Sequence, residues 1–154
     1  MDVIYTDFTK AFDKVSHNIL LHKMYNEFGL HSNLVYFFNS YLHNRKQGVI
    51  VRGYSSDQFI PKSGVPQGSN MGPLLFVLFI DSLIKEVKKC EVLMFADDLK
   101  LYASISNYKD CLNLQKNLNL IFEWSVENRL SFNITKCNVM SFTKKKKQFA
   151  FPIL

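Results

Sequence analysis

The sequence predicts an α+β fold in which helices pack on one face of an antiparallel sheet. The first observation is the order of its apolar patterns, which runs strand, two helices, hairpin, helix, hairpin, helix, strand. The second is composition: 47% of the residues are hydrophobic and 14% aromatic, which excludes a disordered or low-complexity chain. The third is the length of 154 residues, which is typical of one domain with a sizeable core.

The first part of the chain combines a short strand with two helices. Residues 3–5 are β-prone, and a helix is predicted to begin at Ser16 or His17 and to end at Gly29. Its apolar residues recur at helical spacing: Leu20, Leu21, Met24 and Phe28. Ser32 is expected to cap the second helix. The apolar stripe of that helix consists of Leu34, Val35, Phe38, Tyr41 and Leu42.

The middle of the chain predicts a hairpin, a loop and a buried helix. Residues 47–52 and 57–60 are the two predicted strands of the hairpin, and a short polar connection joins them. Residues 63–69 have the composition of a loop, with two glycines and a proline. Pro73 suits the first turn of a helix, where its missing N–H costs nothing, and this helix is predicted to run to about Lys88.

The last part predicts a second hairpin, a long helix and a final strand. Residues 92–96 and 99–102 are the predicted strands, separated by two aspartates. Asn107 is expected to cap the long helix, which ends before Asn128. Residues 137–142 alternate between apolar and polar side chains and are predicted as the last strand.

The net charge of +6 comes largely from one run of four lysines, residues 144–147. Without this run, 15 basic residues remain against 13 acidic ones. A solvated linker is favoured for the run over a phosphate-binding or nuclear-import patch. Charge alone therefore does not establish nucleic-acid binding.

Neither a membrane span nor a disulfide framework is predicted. No apolar stretch approaches the roughly 20 residues of a span, and the acidic N-terminal residues do not form a signal peptide. The cysteines, Cys90, Cys111 and Cys137, are odd in number and contain no CxxC motif. We expect buried free thiols in a reducing, intracellular compartment, with nucleus and cytoplasm not distinguished and no membrane partner.

The acidic pair Asp97 and Asp98, which follows an apolar strand, is the most informative feature of the sequence. Adjacent carboxylates repel each other and cost stability unless something neutralises them, although aspartates are also common in turns without function. Asp7 likewise follows a short apolar strand. If the two strands are neighbours, the three carboxylates converge and supply the oxygen ligands that Mg²⁺ requires. On that assumption the pattern favours metal-assisted phosphoryl or nucleotidyl transfer.

Other common catalytic patterns are missing from the sequence. The histidines, His17, His22, His31 and His43, are scattered and form no HExxH motif, so they are interpreted as surface or packing residues. The sequence contains neither a Walker loop nor a serine-nucleophile motif.

Several segments occur in the order that a known polymerase family shows. The segments are residues 7–17 (DFTKAFDKVSH), residues 64–69 (GVPQGS) with 72–76 (GPLLF), and residues 95–98 (FADD). Together they closely resemble motifs A, B and C of reverse transcriptases, particularly those of non-LTR (LINE-type) retrotransposons. A further region resembles motif D of this family. It contains Trp124, residues 128–130 (NRL) and residues 133–137 (NITKC). The resemblance covers about residues 3–143, and three motifs in series are far more specific than any one of them.

The resemblance implies a catalytic group formed by Asp7, Asp97, Asp98 and Lys136. The aspartates would be the metal ligands for two Mg²⁺ ions, with Mn²⁺ as an alternative. Lys136 would protonate the pyrophosphate leaving group as a general acid. The competing interpretation of Lys136 is a solvated surface lysine.

The resemblance also implies that Phe8, Phe12, Gln67 and Gly68 bind the substrates. Phe12 matches the aromatic gate whose rigid ring leaves no room for a ribose 2′-hydroxyl; the competing interpretation is a core residue. Gln67 and Gly68 match the loop that contacts the incoming nucleotide and the template, where a glycine lets the backbone approach closely. Asp13 is interpreted as a capping or ion-pairing residue rather than a metal ligand.

The implied activity is RNA-directed DNA synthesis on an RNA template, a DNA primer and deoxynucleotides. Residues 1–143 would form a palm-like domain with motifs A to D, and residues 144–154 a basic tail or the start of the next segment. We expect fingers and thumb segments to be largely missing and the isolated chain to be inactive, because positioning would be lost. A group II intron-type reverse transcriptase, a non-catalytic nucleic-acid-binding remnant and an inert translated fragment are the alternatives.

Overall fold

The computed structural model describes residues 1–143 and shows two compact units. Of the described residues, the sheet unit contains 1–11 and 80–143, and the helical unit is Phe12–Phe79. No linker in the sequence predicts this division. The predicted basic tail, residues 144–154, lies outside the described residues. Over residues 1–143, helices long and apolar enough to cross a membrane are absent.

The strands and helices follow the predicted order closely. The elements are β1 (Asp2–Thr6), α1 (Ala11–Lys14), α2 (His17–Asn26), α3 (Ser32–Leu42), β2 (Ile50–Val51), β3 (Tyr54–Ser55), α4 (Met71–Glu86), β4 (Glu91–Phe95), β5 (Asp98–Ala103), α5 (Tyr108–Glu127) and β6 (Asn138–Ser141). The predicted combination of helices with an antiparallel sheet is confirmed.

The sheet unit is built on an antiparallel sheet with the strand order β4-β5-β1-β6. Along β5, buried Leu99 and Leu101 alternate with exposed Asp98 and Lys100. Because side chains of a strand point alternately to the two faces, one face of β5 is apolar and the other is polar. Helix α5 packs against β5 and covers the apolar face.

Helix α5 begins at the predicted cap. The Asn107 side chain accepts a hydrogen bond from the Asp110 amide, and the Asp110 carboxylate accepts one from the Asn107 amide, which completes a capping box. Trp124, near the end of the helix, is buried and its indole N–H donates to Ser82 Oγ on α4 over 2.9 Å. The helix ends at Glu127, as predicted.

The helical unit contains α2 and α3, which pack against each other. Gly29 follows α2 with a φ of 62°, consistent with its predicted role as the C-terminal stop. The predicted cap of α3 was wrong by one residue: His31 is the N-cap, and its Nδ1 accepts a hydrogen bond from the Asn33 amide. Ser32 is the first helical residue instead.

The hairpin of the helical unit is tighter than predicted. Ile50 pairs with Ser55 and Val51 with Tyr54, so the turn contains only Arg52 and Gly53. Both turn residues have positive φ, 50° and 85°, which is the geometry of the two-residue turns that match strand twist. The predicted strand 57–60 contributes only the isolated bridge between Gln47 and Phe59.

Two short elements escaped prediction: α1 and the 3₁₀ turn Ile134–Lys136. A single helical turn contains no repeated apolar pattern, because its residues span less than one period of the amphipathic signal. Both elements are hydrogen-bonded to distant parts of the chain. The Val65 amide donates to the Phe12 carbonyl in α1, and the Asn133 amide, just before the 3₁₀ turn, donates to the Asp7 carbonyl.

Candidate active site

Asp7 lies directly after β1, where the chain leaves the sheet. Its backbone carbonyl accepts a hydrogen bond from the Asn133 amide over 2.8 Å, and the Thr9 amide donates to the Ser131 carbonyl over the same distance. These two bonds fix the direction of the backbone on both sides of the carboxylate. The Asp7 side chain is 19% exposed, so it is accessible to solvent while its backbone is fixed by hydrogen bonds.

The acidic pair lies at a tight turn between β4 and β5. Phe95 pairs with Asp98, so Ala96 and Asp97 form a two-residue turn. Ala96 has a φ of 53°, a left-handed conformation that costs a non-glycine residue about 1–2 kcal/mol. Backbone strain of this kind is concentrated at functional sites.

The two strands that precede the aspartates, β1 and β4, are not neighbours, so the assumption behind the predicted carboxylate cluster was wrong in that form. Strand β5, which begins at Asp98, lies between them and pairs with β1. The register of β1 and β5 ends with Thr6 opposite Leu99, and Asp7 and Asp98 are the next residues beyond this pair. Residues opposite each other on an antiparallel pair point to the same face. Asp7 and Asp98 therefore share one face of the sheet.

An open cavity of about 680 Å³ lies on this face. The residues that line it include Asp7, Asp98, Lys100 and Lys136. Asp98, rather than Asp97, is the member of the acidic pair that lines the cavity. Asp97 is half-buried in the turn.

Lys136 is ion-paired with Asp7. Its Nζ lies 3.2 Å from Asp7 Oδ2, and the 3₁₀ turn Ile134–Lys136 and the bond from Asn138 Nδ2 to the Lys136 carbonyl hold its backbone. The lysine side chain is 67% exposed, so the ion pair contributes about 1 kcal/mol at most. Lys136 is thus an exposed lysine that also contacts a predicted metal ligand.

The donor set fits a metal that is shared with a substrate. In residues 1–143, groups of three histidine, cysteine, aspartate or glutamate side chains that could hold a metal ion are absent. Mg²⁺, however, commonly takes only one or two protein carboxylates and completes its shell with water and substrate phosphates. Asp7 and Asp98 supply two carboxylates at one cavity. The Asp7 carboxylate already pairs with one positively charged group, the ammonium group of Lys136.

Phe8, predicted to bind substrate, has a buried side chain. Its ring is only 2% exposed and stacks on Phe132 with 4.7 Å between ring centroids. The ring therefore anchors the segment after Asp7, and only the backbone of Phe8 is available for a substrate contact. The substrate-binding role of this residue stays a prediction.

The remaining predicted substrate residues lie in the helical unit. Phe12 is half-buried and stacks on Phe76, with ring centroids 4.2 Å apart. Gln67 and Gly68 are exposed, and Gln67 Nε2 donates a 2.7 Å hydrogen bond to Asp13 Oδ1. The sequence suggested that Asp13 caps a helix or forms an ion pair, but within residues 1–143 it does neither.

The sequence did not predict the two side-chain hydrogen bonds to the Gly64 carbonyl. The Gly64 carbonyl accepts hydrogen bonds from His17 Nε2 at 2.8 Å and Arg45 Nη2 at 2.9 Å. Burial lowers the pKa of His17; nearby His43 and Arg45 act in the same direction, and the bond to the Gly64 carbonyl opposes them. Local periodicity contains no signal for these contacts, because the partners are 19 and 47 residues away along the chain.

The chain matches a known protein family over almost its whole length. The sequence pattern of the family described as reverse transcriptase (RNA-dependent DNA polymerase) matches residues 3–152. The chain belongs to the reverse transcriptase family. This confirms the resemblance identified from the three motifs.

Relatives of this reverse transcriptase domain come from mobile elements. It is 31% identical over 147 residues to the RNA-directed DNA polymerase from mobile element jockey of Drosophila funebris, a match that covers 90% of this chain and 16% of the relative. It is also 31% identical to the probable RNA-directed DNA polymerase from transposon BS of Drosophila melanogaster, covering 94% of this chain and 17% of the relative. The predicted relationship to non-LTR retrotransposons is confirmed, and the chain spans about one sixth of these relatives.

Solved structures of telomerases share the fold of this reverse transcriptase domain. Apo telomerase from Candida tropicalis, truncated from its C-terminal domain, matches with a TM-score of 0.71 and 14% identity over 95% of this chain and 31% of that one. Telomerase from Candida albicans, in complex with a fragment of telomeric RNA, matches with a TM-score of 0.69 and 14% identity over 97% and 28%. At this identity the likeness establishes the polymerase palm-type fold alone.

Proposed function

We propose that this chain contains the nucleotidyl-transfer centre of an RNA-directed DNA polymerase, which joins a deoxynucleotide to a DNA primer on an RNA template. The observation that supports the proposal most directly is the pair of carboxylates, Asp7 and Asp98, on one cavity next to the acidic turn. Reverse transcriptases generally use divalent metal ions, and two carboxylates with substrate phosphates suffice to hold Mg²⁺.

Asp7 and Asp98 are the proposed holders of the metal, and Asp97 stays a predicted third ligand. Asp7 and Asp98 face the cavity, and Asp97 adds a carboxylate at the turn beside them. Two Mg²⁺ ions, or Mn²⁺ in their place, would favour ionisation of the primer 3′-hydroxyl and neutralise charge on the pyrophosphate leaving group. The fixed backbone around Asp7 lets these residues orient the reacting phosphate without first reorganising.

Lys136 is the proposed proton donor. Its ammonium group lies at the same cavity as the carboxylates and carries protons that a departing pyrophosphate would take up. The ion pair with Asp7 keeps the side chain at the cavity. Because this ion pair is exposed and weak, it does not prevent Lys136 from turning to a substrate.

Phe12, Gln67 and Gly68 are proposed to contact the nucleotide. Stacking on Phe76 holds the Phe12 ring in one orientation, which a steric gate against a 2′-hydroxyl requires. Gly68 has a φ of 77° and open space where a side chain would begin, so its backbone is accessible to a base pair. Phe8 is proposed to act through its backbone.

Substoichiometric Mn²⁺ tests the metal site directly. In the ¹⁵N-labelled chain with a deoxynucleoside triphosphate, we expect Mn²⁺ to broaden the amide signals around Asp7 and Asp98 first. Asp7→Asn should remove this selective broadening, because the neutral amide is a poor metal ligand. Separate Asp97→Asn and Asp98→Asn variants show which member of the acidic pair contributes.

Asp57→Asn is the matched control, since Asp57 is an exposed aspartate of the helical unit. It should leave the broadening unchanged. Broadening that is uniform over the chain, or that persists in Asp7→Asn, would contradict the proposed function.

A further inference from the structure

The loop that contains Gln67 is hydrogen-bonded to residues 12–15, within the helical unit. The Gly64 amide donates to the Val15 carbonyl over 2.8 Å, and the Val65 amide donates to the Phe12 carbonyl over 2.9 Å. Ser63 Oγ donates to the Asp13 carbonyl over 2.8 Å. Three bonds thus hold the loop against the backbone of Phe12, Asp13 and Val15.

Gly64 allows this close approach. Its φ is 86°, and a Cβ atom built on it would lie 2.7 Å from the Asp13 carbonyl oxygen. At the other end of the loop, the Pro66 carbonyl accepts a bond from Ser69 Oγ, which in turn accepts one from the Gly72 amide. The backbone on both sides of Gln67 is therefore held before any substrate arrives.

The Asp13 carboxylate determines which way the Gln67 amide points. A carboxylate only accepts hydrogen bonds, so the 2.7 Å contact with Asp13 Oδ1 must be made by the NH₂ end of Gln67. The carbonyl end, Oε1, is left as a hydrogen-bond acceptor. The side chains of Asp13 and Gln67 are both exposed, so the hydrogen bond between them adds little to the stability of the fold. Because the backbone around Gln67 is already held, less conformational entropy is lost when the Gln67 amide is oriented.

We propose that Asp13 is a positioning residue, which orients the Gln67 amide so that Oε1 is presented as an acceptor to the incoming nucleotide. This inference rests on the proposed function, in which Gln67 contacts that nucleotide. A hydroxyl or N–H of the nucleotide is the group that such an acceptor recognises.

Hydrogen exchange of the Gln67 side-chain amide tests the contact without any substrate. We expect its NH₂ protons to exchange more slowly than those of Gln47, which is also exposed. Asp13→Asn should bring the exchange of Gln67 to the rate of Gln47, whereas Asp57→Asn, an exposed aspartate of the same unit, should not change it. Equal exchange in the wild type and Asp13→Asn would overturn the inference.

Nucleotide affinity tests the functional consequence. With Mg²⁺ present, we expect Asp13→Asn and Asp13→Ala to weaken binding of a deoxynucleoside triphosphate about three- to tenfold, and Asp57→Asn to leave it unchanged. Asp13→Glu, which keeps the carboxylate, should recover part of the loss. If the wild-type chain binds no nucleotide, the proposed function fails for this chain, while the exchange experiment still decides the role of Asp13. If nucleotide binds and Asp13→Ala binds equally well, the positioning role is wrong.

Discussion

At the residue scale, glycine at position 64 is required by two separate constraints. The backbone conformation, with a φ of 86°, is unfavourable for any residue that has a Cβ atom, and the Asp13 backbone occupies the space where that atom would be. The second constraint arises from packing and is absent at glycines that have the same conformation but lie in open space.

Gly64→Ala should lower the free energy of unfolding by about 2–4 kcal/mol, because left-handed strain and a backbone clash add. Gly53→Ala is the matched control: its φ is 85°, and nothing lies within 4 Å of the added atom. This control should lose only about 1–2 kcal/mol. Denaturant unfolding of both variants measures the difference, and equal losses would show that the contact with Asp13 is unimportant.

Buried His17 makes stability depend on pH. Burial lowers the pKa of His17 below its usual value of 6.5, so the unfolded chain takes up this proton at a higher pH than the folded chain. The contribution of neutral His17 is therefore fully present above pH 6.5 and is lost as the pH falls through the lowered pKa.

Unfolding curves between about pH 7 and pH 5 should show a steeper loss of stability in the wild type than in His17→Gln, which retains a donor for the Gly64 carbonyl. His22 is exposed on the same helix, so the stability of His22→Gln should fall with pH as steeply as that of the wild type. Parallel curves for the wild type and His17→Gln would contradict the role assigned to burial.

At the element scale, helix α5 depends on its capping box. Asn107 and Asp110 satisfy each other's backbone amides, and Asp110 also accepts a bond from the Ser106 amide at 2.9 Å. Helix N-termini leave several amides without intrahelical partners, so these bonds stabilise the first turn of the helix that covers β5.

Asn107→Ala should lower the free energy of unfolding by about 1 kcal/mol, the usual cost of losing an N-cap. Asn107→Ser can still cap the helix, so its free energy of unfolding should fall much less. Thermal unfolding followed by circular dichroism measures both, and equal destabilisation by the two substitutions would show that the cap bond is not the cause.

At the scale of the whole molecule, the chain spans only 16% of the jockey relative with which it aligns over 90% of its own length. Catalysis of nucleotidyl transfer depends on holding primer, template and nucleotide in a reactive geometry, which contributes about 7–11 kcal/mol to lowering a barrier. The carboxylate cavity alone supplies only part of that positioning.

The 154-residue chain alone should therefore extend no primer on an RNA template in Mg²⁺. A primer-extension assay with labelled deoxynucleotides checks this. Extension that depends on Mg²⁺ and is abolished by Asp97→Asn would contradict the expected inactivity, but it would support the proposed chemistry. RNA binding that is salt-sensitive and unchanged by Asp7→Ala or Asp97→Ala would favour a non-catalytic nucleic-acid-binding remnant.

Much of the local structure was determined by the sequence itself. Strand β1, the stop at Gly29, the cap at Asn107 and the acidic turn depend on neighbouring residues, so apolar periodicity and turn composition predict them. The ordered motifs also identified the family, which the match over residues 3–152 confirms. The short α1 and the two-residue hairpin turn were not predicted, because so few residues carry too little periodic signal.

The arrangement of the site was decided only by the tertiary structure. Whether Asp7 meets Asp97 or Asp98 depends on the register between strands about ninety residues apart, and the contact of Asp13 with Gln67 joins residues 54 positions apart. Such pairings are determined by which side chains share a face once the strands and loops have packed, and local periodicity does not contain that information. The sequence thus determined which residues are present at the site, and packing determined which of them touch.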